Sequence, residues 1–153
     1  MSPARIVAVF FGVAALAAVG LAVGRAARDP VGTPARALEH FARARAAHDQ
    51  DGLADCTYVD PTLVPDPAAR AERRKLEARQ VAGLRSFVEK HATPRALEVE
   101  ETRVVAVEGD DARGVIVYRV TEGDRTFRWE WTVELALQDG GWRVRGYGLG
   151  PEP

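Results

Sequence analysis

Few side chains in this sequence have types and spacing suited to chemistry, and Tyr118 is foremost among them. The alternation Ile116, Tyr118, Val120 turns its hydroxyl toward the side that Phe127, Trp129 and Trp131 share. A phenol among aromatic rings needs a hydrogen-bond partner, and Glu98 or Glu100 on the neighbouring strand is expected to supply it. That pair would be the seed of an acid–base site, set against the plainer expectation of a core tyrosine with a satisfied hydroxyl. Cys56 has His40 and His48 upstream as candidate bases, but no nucleophile signature surrounds it, so burial as a small apolar residue is expected. His40, His48 and His91 lack the H-E-x-x-H spacing of a zinc site. Asp49, Asp51, Asp55 and Asp60 fall at the first, third, seventh and twelfth places of a calcium loop, yet Leu53 takes the fifth and Ala54 the glycine place. An acidic, helix-ending turn is therefore expected there, with no metal and no cofactor.

Composition narrows the remaining classes. The 153 residues are 46% hydrophobic and 28% charged with a formal net charge of −1, which excludes a disordered chain and argues against a nucleic-acid binder. A single cysteine excludes an intrachain disulfide. Ser2 and Ser86 are the only serines and neither lies in a G-x-S-x-G setting, which disfavours a serine hydrolase. Two lysines against nineteen arginines, with abundant alanine, suit a GC-rich bacterial genome.

The elements that must position these residues follow from periodicity. Ile6 to Gly24 is an uncharged apolar run that would span about 28 Å as a helix, close to the hydrocarbon thickness of a bilayer. Residues 1–24 are therefore expected to be a transmembrane anchor; Ala22-Val23-Gly24 leaves a cleaved signal peptide as the competitor. Arg5 before the run and Arg25, Arg28 and Arg36 after it would, by the positive-inside count, hold the domain in the cytoplasm, whereas a signal-anchor would export it. Gly20 and Gly24, in line with Ala8 and Gly12, offer a small-residue contact for a second membrane helix and so for self-association.

Residues 25–32 read as a linker, 33–150 as one domain and 151–153 as a tail. Thr33 and Pro34 open a helix with Ala37, Leu38, Phe41 and Ala44 on its apolar face and Arg45 elsewhere on the wheel. A short helix over Leu53 to Tyr58 follows, then a third from Asp66-Pro67 to Lys90 or His91. Arg70, Arg73, Arg74, Lys75, Arg79, Arg85 and Lys90 make that third helix basic: either a solvated face with pairs such as Arg73–Glu77, or a surface for anionic lipid. From Leu97 the period becomes 2, predicting strands over 97–107, 112–121, 125–138 and 142–149, joined by Gly-Asp and Asp-Gly turns. The phase change from Leu97 and Val99 to Val104 predicts a bulge near Glu101 to Arg103. Helices first and an antiparallel meander second make an α+β fold, two to three helices on a curved four-stranded sheet.

This layout, with the closing Asp139-Gly140-Gly141-Trp142-Arg143-Val144 and Tyr147, resembles the nuclear transport factor 2-like (cystatin-like cone) superfamily. The resemblance implies a curved sheet wrapped around helices, with Phe127, Trp129, Trp131, Tyr118 and Trp142 as its pocket or core. It also implies an extracytoplasmic domain on an N-terminal anchor. Isomerases and dehydratases of that superfamily need polar groups inside the cone, where the strand over 125–138 presents only Phe, Trp, Val and Leu. Dimers through the convex sheet face would meet Arg128, Glu130, Glu134, Arg143 and Arg145. The expectation is a non-enzymatic binding or accessory module anchored in a bacterial inner membrane, facing a protein or lipid-like partner. Two alternatives are a small-molecule isomerase or dehydratase using Tyr118 with Glu98 or Glu100, and an assembly subunit of an envelope complex.

Overall fold

The computed structural model of the chain describes residues 29–89 and 95–149, with side chains of the third helix described as far as residue 82. The apolar run, the Gly20–Gly24 pair, His91, Lys90 and the tail lie outside the described residues. Among the described residues, no helix is long and apolar enough to cross a membrane.

Three helices precede four strands: α1 (Pro34–Ala47), α2 (Gln50–Cys56), α3 (Pro67–Glu89), β1 (Arg95–Glu108), β2 (Asp111–Glu122), β3 (Arg125–Gln138) and β4 (Gly141–Leu149). The strands form one antiparallel sheet in the order β1-β2-β3-β4, the meander that the turn residues require. Thr33 caps α1 by accepting from the Arg36 N–H, Pro34 occupies its first turn, and His48 in the left-handed region ends it. Asp49 then caps α2 by accepting from Gly52 N, so the second helix starts three residues earlier than expected. Asp66 accepts from Ala68 N and Ala69 N at the start of α3. The acidic cluster thus serves helix starts and turns, with Asp60 taking both the N–H and the hydroxyl of Thr62.

The bulge in β1 is two bulges, one at Glu100 and one at Val105, on either side of the expected stretch. Each inserts one residue and flips the parity, so the helix-facing positions run Leu97, Val99, then Thr102, Val104, then Val107. On β2 the same face carries Ala112, Gly114, Ile116, Tyr118 and Val120, all buried. α1 lies across this face, and a Cβ at Gly114 would sit 2.5 Å from Leu38 Cδ2, so only glycine admits the helix at that distance. The core joins Leu38, Phe41, Ile116, Tyr118, Val120, Trp131, Val133, Leu135, Trp142 and Val144.

α2 bridges α1, β4 and α3. The Asp139-Gly140 turn, positive in φ at both residues as a tight type I′ hairpin demands, anchors α3 to the sheet. Arg70 and Arg74 both reach the Asp139 carboxylate, and each is only 7% exposed. Arg70 also donates to the carbonyls of Val64 (2.8 Å) and Pro65 (2.6 Å), and Arg74 to Thr57 O (3.1 Å) and Gln138 Oε1 (3.0 Å). The Gln138 amide exchanges two hydrogen bonds with the Val59 backbone. α3 is therefore not a uniformly solvated basic face: Arg73 pairs with Glu77 as expected, but Arg70 and Arg74 turn inward. The hydrogen bond from Arg70, joined by that from Arg74, overcomes partial desolvation and lowers the Asp139 pKa to about 2.

Candidate functional site

The concave face of β3 carries Phe127, Trp129, Trp131, Val133 and Leu135, and the registers Tyr118↔Trp129 and Val120↔Phe127 bring Tyr118 beside them. Tyr118 and Trp131 meet edge to face with centroids 5.7 Å apart, and Trp131 stacks on Tyr147 of β4 at 5.0 Å and 9°. Trp129 lies tilted 6.2 Å from Trp131 and edge-on to Phe127. Burial falls along the row: Trp131 is inside, Trp129 and Phe127 are half-buried, and Tyr147 is half exposed. Two guanidiniums face the rings, Arg45 at 4.1 Å from the Trp131 centroid and 5.2 Å from Tyr147, and Arg95 at 5.2 Å from Trp129. The Trp131 Nε1 donor is buried with no acceptor among the described residues.

Sequence periodicity groups Phe127, Trp129, Trp131, Tyr118 and Trp142, and the structure has them in the buried core or packed against it, with the Trp142 backbone N–H donating to the Val31 carbonyl. Periodicity misses Arg45 and Tyr147. Arg45 stands four residues after Phe41 and seven after Leu38, which is the apolar face of α1 itself, and that spacing was the available signal.

Tyr118 does not meet Glu98 or Glu100. Val99, not a glutamate, lies opposite Tyr118, and strand alternation sends Glu98 to the convex face, where it pairs with Arg119 at 3.0 Å. Glu100, extruded by the bulge, takes Arg119 at 2.8 Å and Arg128 at 2.7 Å. Desolvation works to raise the Glu100 pKa, but hydrogen bonds from Arg128 and Arg119 prevail and hold it below the usual range. The Tyr118 hydroxyl instead donates to the Ala42 carbonyl of α1 at 3.4 Å, and burial pushes its pKa well above that of a free tyrosine. A phenol so placed neither gains nor gives a proton readily near neutral pH.

Of the remaining candidates, Cys56 is fully buried, its thiol contacting the Ala37 carbonyl at 3.9 Å, and burial raises its pKa to about 12. His40 Nε2 stands 3.8 Å from the Asp55 carboxylate and His48 caps α1. The convex charges interlock within the chain: Glu130 with Arg103 at 3.8 Å, Glu134 with Arg145 at 3.8 Å, and Asp111 with Arg145 at 2.9 Å. Arg143 leaves that face and donates to the Asp55 carbonyl.

No family model and no curated protein matches the chain. Solved structures similar to it include an NTF2-like protein of unknown function from Pseudomonas putida KT2440, 17% identical over 75% of this chain and 81% of that one, with a TM-score of 0.47. A SEC-C motif containing protein from Rhodopseudomonas palustris is 19% identical over 76% of this chain and 77% of its own, at 0.48. A candidate aromatic ring hydroxylase from Novosphingobium aromaticivorans is 16% identical over 76% and 85%, at 0.46.

Proposed function

We propose that the chain is a membrane-tethered module of a bacterial envelope that binds a ligand or partner on its concave aromatic row and performs no chemistry on it. One observation carries this reading: the Tyr118 hydroxyl is committed to the Ala42 carbonyl, while Glu98 and Glu100 are committed to arginines on the opposite face. The acid and base that an isomerase or dehydratase would need are thus on different sides of the sheet. Phe127, Trp129 and Tyr147 offer ring area backed by the buried Trp131, and Arg45 and Arg95 add positive charge beside it. That chemistry suits an apolar body with an anionic end, as a lipid-like partner has. The tether rests on the apolar run Ile6–Gly24.

Anilinonaphthalene sulfonate, an apolar anion, tests the reading. The folded full-length chain in detergent is expected to bind it with energy transfer from tryptophan, and Tyr147→Ala and Arg95→Gln are each expected to weaken binding without loss of fold. Binding that ignores both substitutions, or no binding above that of the detergent alone, would overturn it.

A further inference from the structure

A cleft of about 280 Å³ opens between α2, α3 and β4, and it shares no lining residue with the aromatic row. Asp51 and Asp55, one helical turn apart, form its α2 wall together with Ala54. Ala71, Arg74 and Lys75 share one face of α3 and form the wall opposite, and Arg143 of β4 completes it. One wall therefore carries only carboxylates and the other only cations.

Asp55 is close enough to attract Arg143 across the gap, without forming an ion pair with it. Among the described residues no ion pair crosses the cleft: Lys75 turns to Glu72 at 2.9 Å, Arg74 to Asp139, and Asp55 has His40 at 3.8 Å. Arg143 is fixed through the Asp55 backbone carbonyl rather than its carboxylate, and Arg74 through Thr57 O and Gln138. Arg74 and Arg143 are held in place, while Asp51, Asp55 and Lys75 are exposed at the mouth, so opposite charges face one another across the gap. A simple anion entering it meets Asp51 and Asp55, and a simple cation meets two guanidiniums and an ammonium. A molecule with both charges gains from both walls. At ~30 Å³ per water, the volume suits a ligand of about nine non-hydrogen atoms. Ala54, Ala71 and the carbon stems of the long cationic side chains supply apolar lining between the charges, so the ligand carries its two charges on a small carbon frame.

We propose that this cleft binds a small zwitterion of the α-amino acid class, its carboxylate toward Arg74, Lys75 and Arg143 and its ammonium toward Asp51 and Asp55. The site is independent of the aromatic row, and either can fail alone.

Calorimetric titration of the full-length chain in detergent with glycine, L-serine, L-asparagine, L-glutamine and L-glutamate tests it, with acetate and methylammonium as half-ligands. At least one amino acid is expected to bind, and each half-ligand to bind about tenfold more weakly or less. Asp51→Asn and Lys75→Gln alter exposed side chains, and circular dichroism is expected to show the fold intact. Each is expected to weaken amino-acid binding about tenfold or more, as the loss of one charge-assisted hydrogen bond does. No binding of any of the five at ~10 mM would overturn the proposal. So would acetate binding as tightly as the amino acids, or binding unmoved by both substitutions.

Discussion

Asp139 ties the β3–β4 turn to α3. One carboxylate in a hairpin turn receives Arg70 and Arg74 from a helix more than sixty positions earlier. Asp139→Ala would leave two mostly buried guanidiniums without their counter-charge. The expected cost is about 2–3 kcal/mol by denaturant titration, less than for a fully buried pair because a fifth of the Asp139 side chain meets solvent. Its pKa is lower folded than unfolded, so its contribution is complete above the ordinary carboxylate range. It fades as pH falls from about 4 through about 2, and an acid-unfolding profile of Asp139→Asn is expected to be flatter across that window. Cys56 is expected to ignore maleimide in the native state and react only on unfolding, as its burial and raised pKa require. The sequence already held the reason Tyr118 has no glutamate: with Leu97 and Val99 facing in, alternation sends Glu98 out. Asp139, by contrast, reads locally as a turn former and nothing more, because the positions of Arg70 and Arg74 beside it depend on tertiary packing.

Between elements, the contact of α1 with the sheet is set by Gly114. Gly114→Ala drives a methyl into Leu38 and against the Arg103 carbonyl, 3.2 Å from the added carbon. An expected loss of about 1–3 kcal/mol, seen as a lower thermal midpoint, follows from overpacking. Leu38→Ala in the same chain should recover part of it, and strict additivity of the two would show that the helix does not approach there. The starts of α1 and α3 were legible because caps and prolines are local signals, as at Thr33-Pro34 and Asp66-Pro67, whereas the Asp49 cap of α2 was read as the end of α1. The bulges in β1 were legible only as a phase change. Alternation shows that parity flips, but the partner strand decides which residue is extruded, and here those are Glu100 and Val105.

At the scale of the whole molecule, the α+β order and the strand sequence could be read from the change of period near Leu97, since an antiparallel meander needs only local turns. The aromatic row was half legible: strand alternation aligned Phe127, Trp129 and Trp131, whereas Tyr147 and Arg45 join it through β4 and α1. Location in the cell is open to direct measurement. Asp124→Cys, in the β2–β3 turn, is expected to react with a membrane-impermeant maleimide in intact cells while the chain keeps its full length. Labelling only after lysis would place the domain on the cytoplasmic side, as the arginine count predicts. The two borders of the sheet have a consequence for crowded conditions. Beside β4, Thr57 and Tyr58 lie parallel and Tyr58 N donates to Val144 O at 3.0 Å, while the outer rim of β1 is broken by its two extruded residues. Among the described residues each rim is interrupted, a feature that disfavours edge-to-edge pairing between strands of neighbouring copies at high protein concentration.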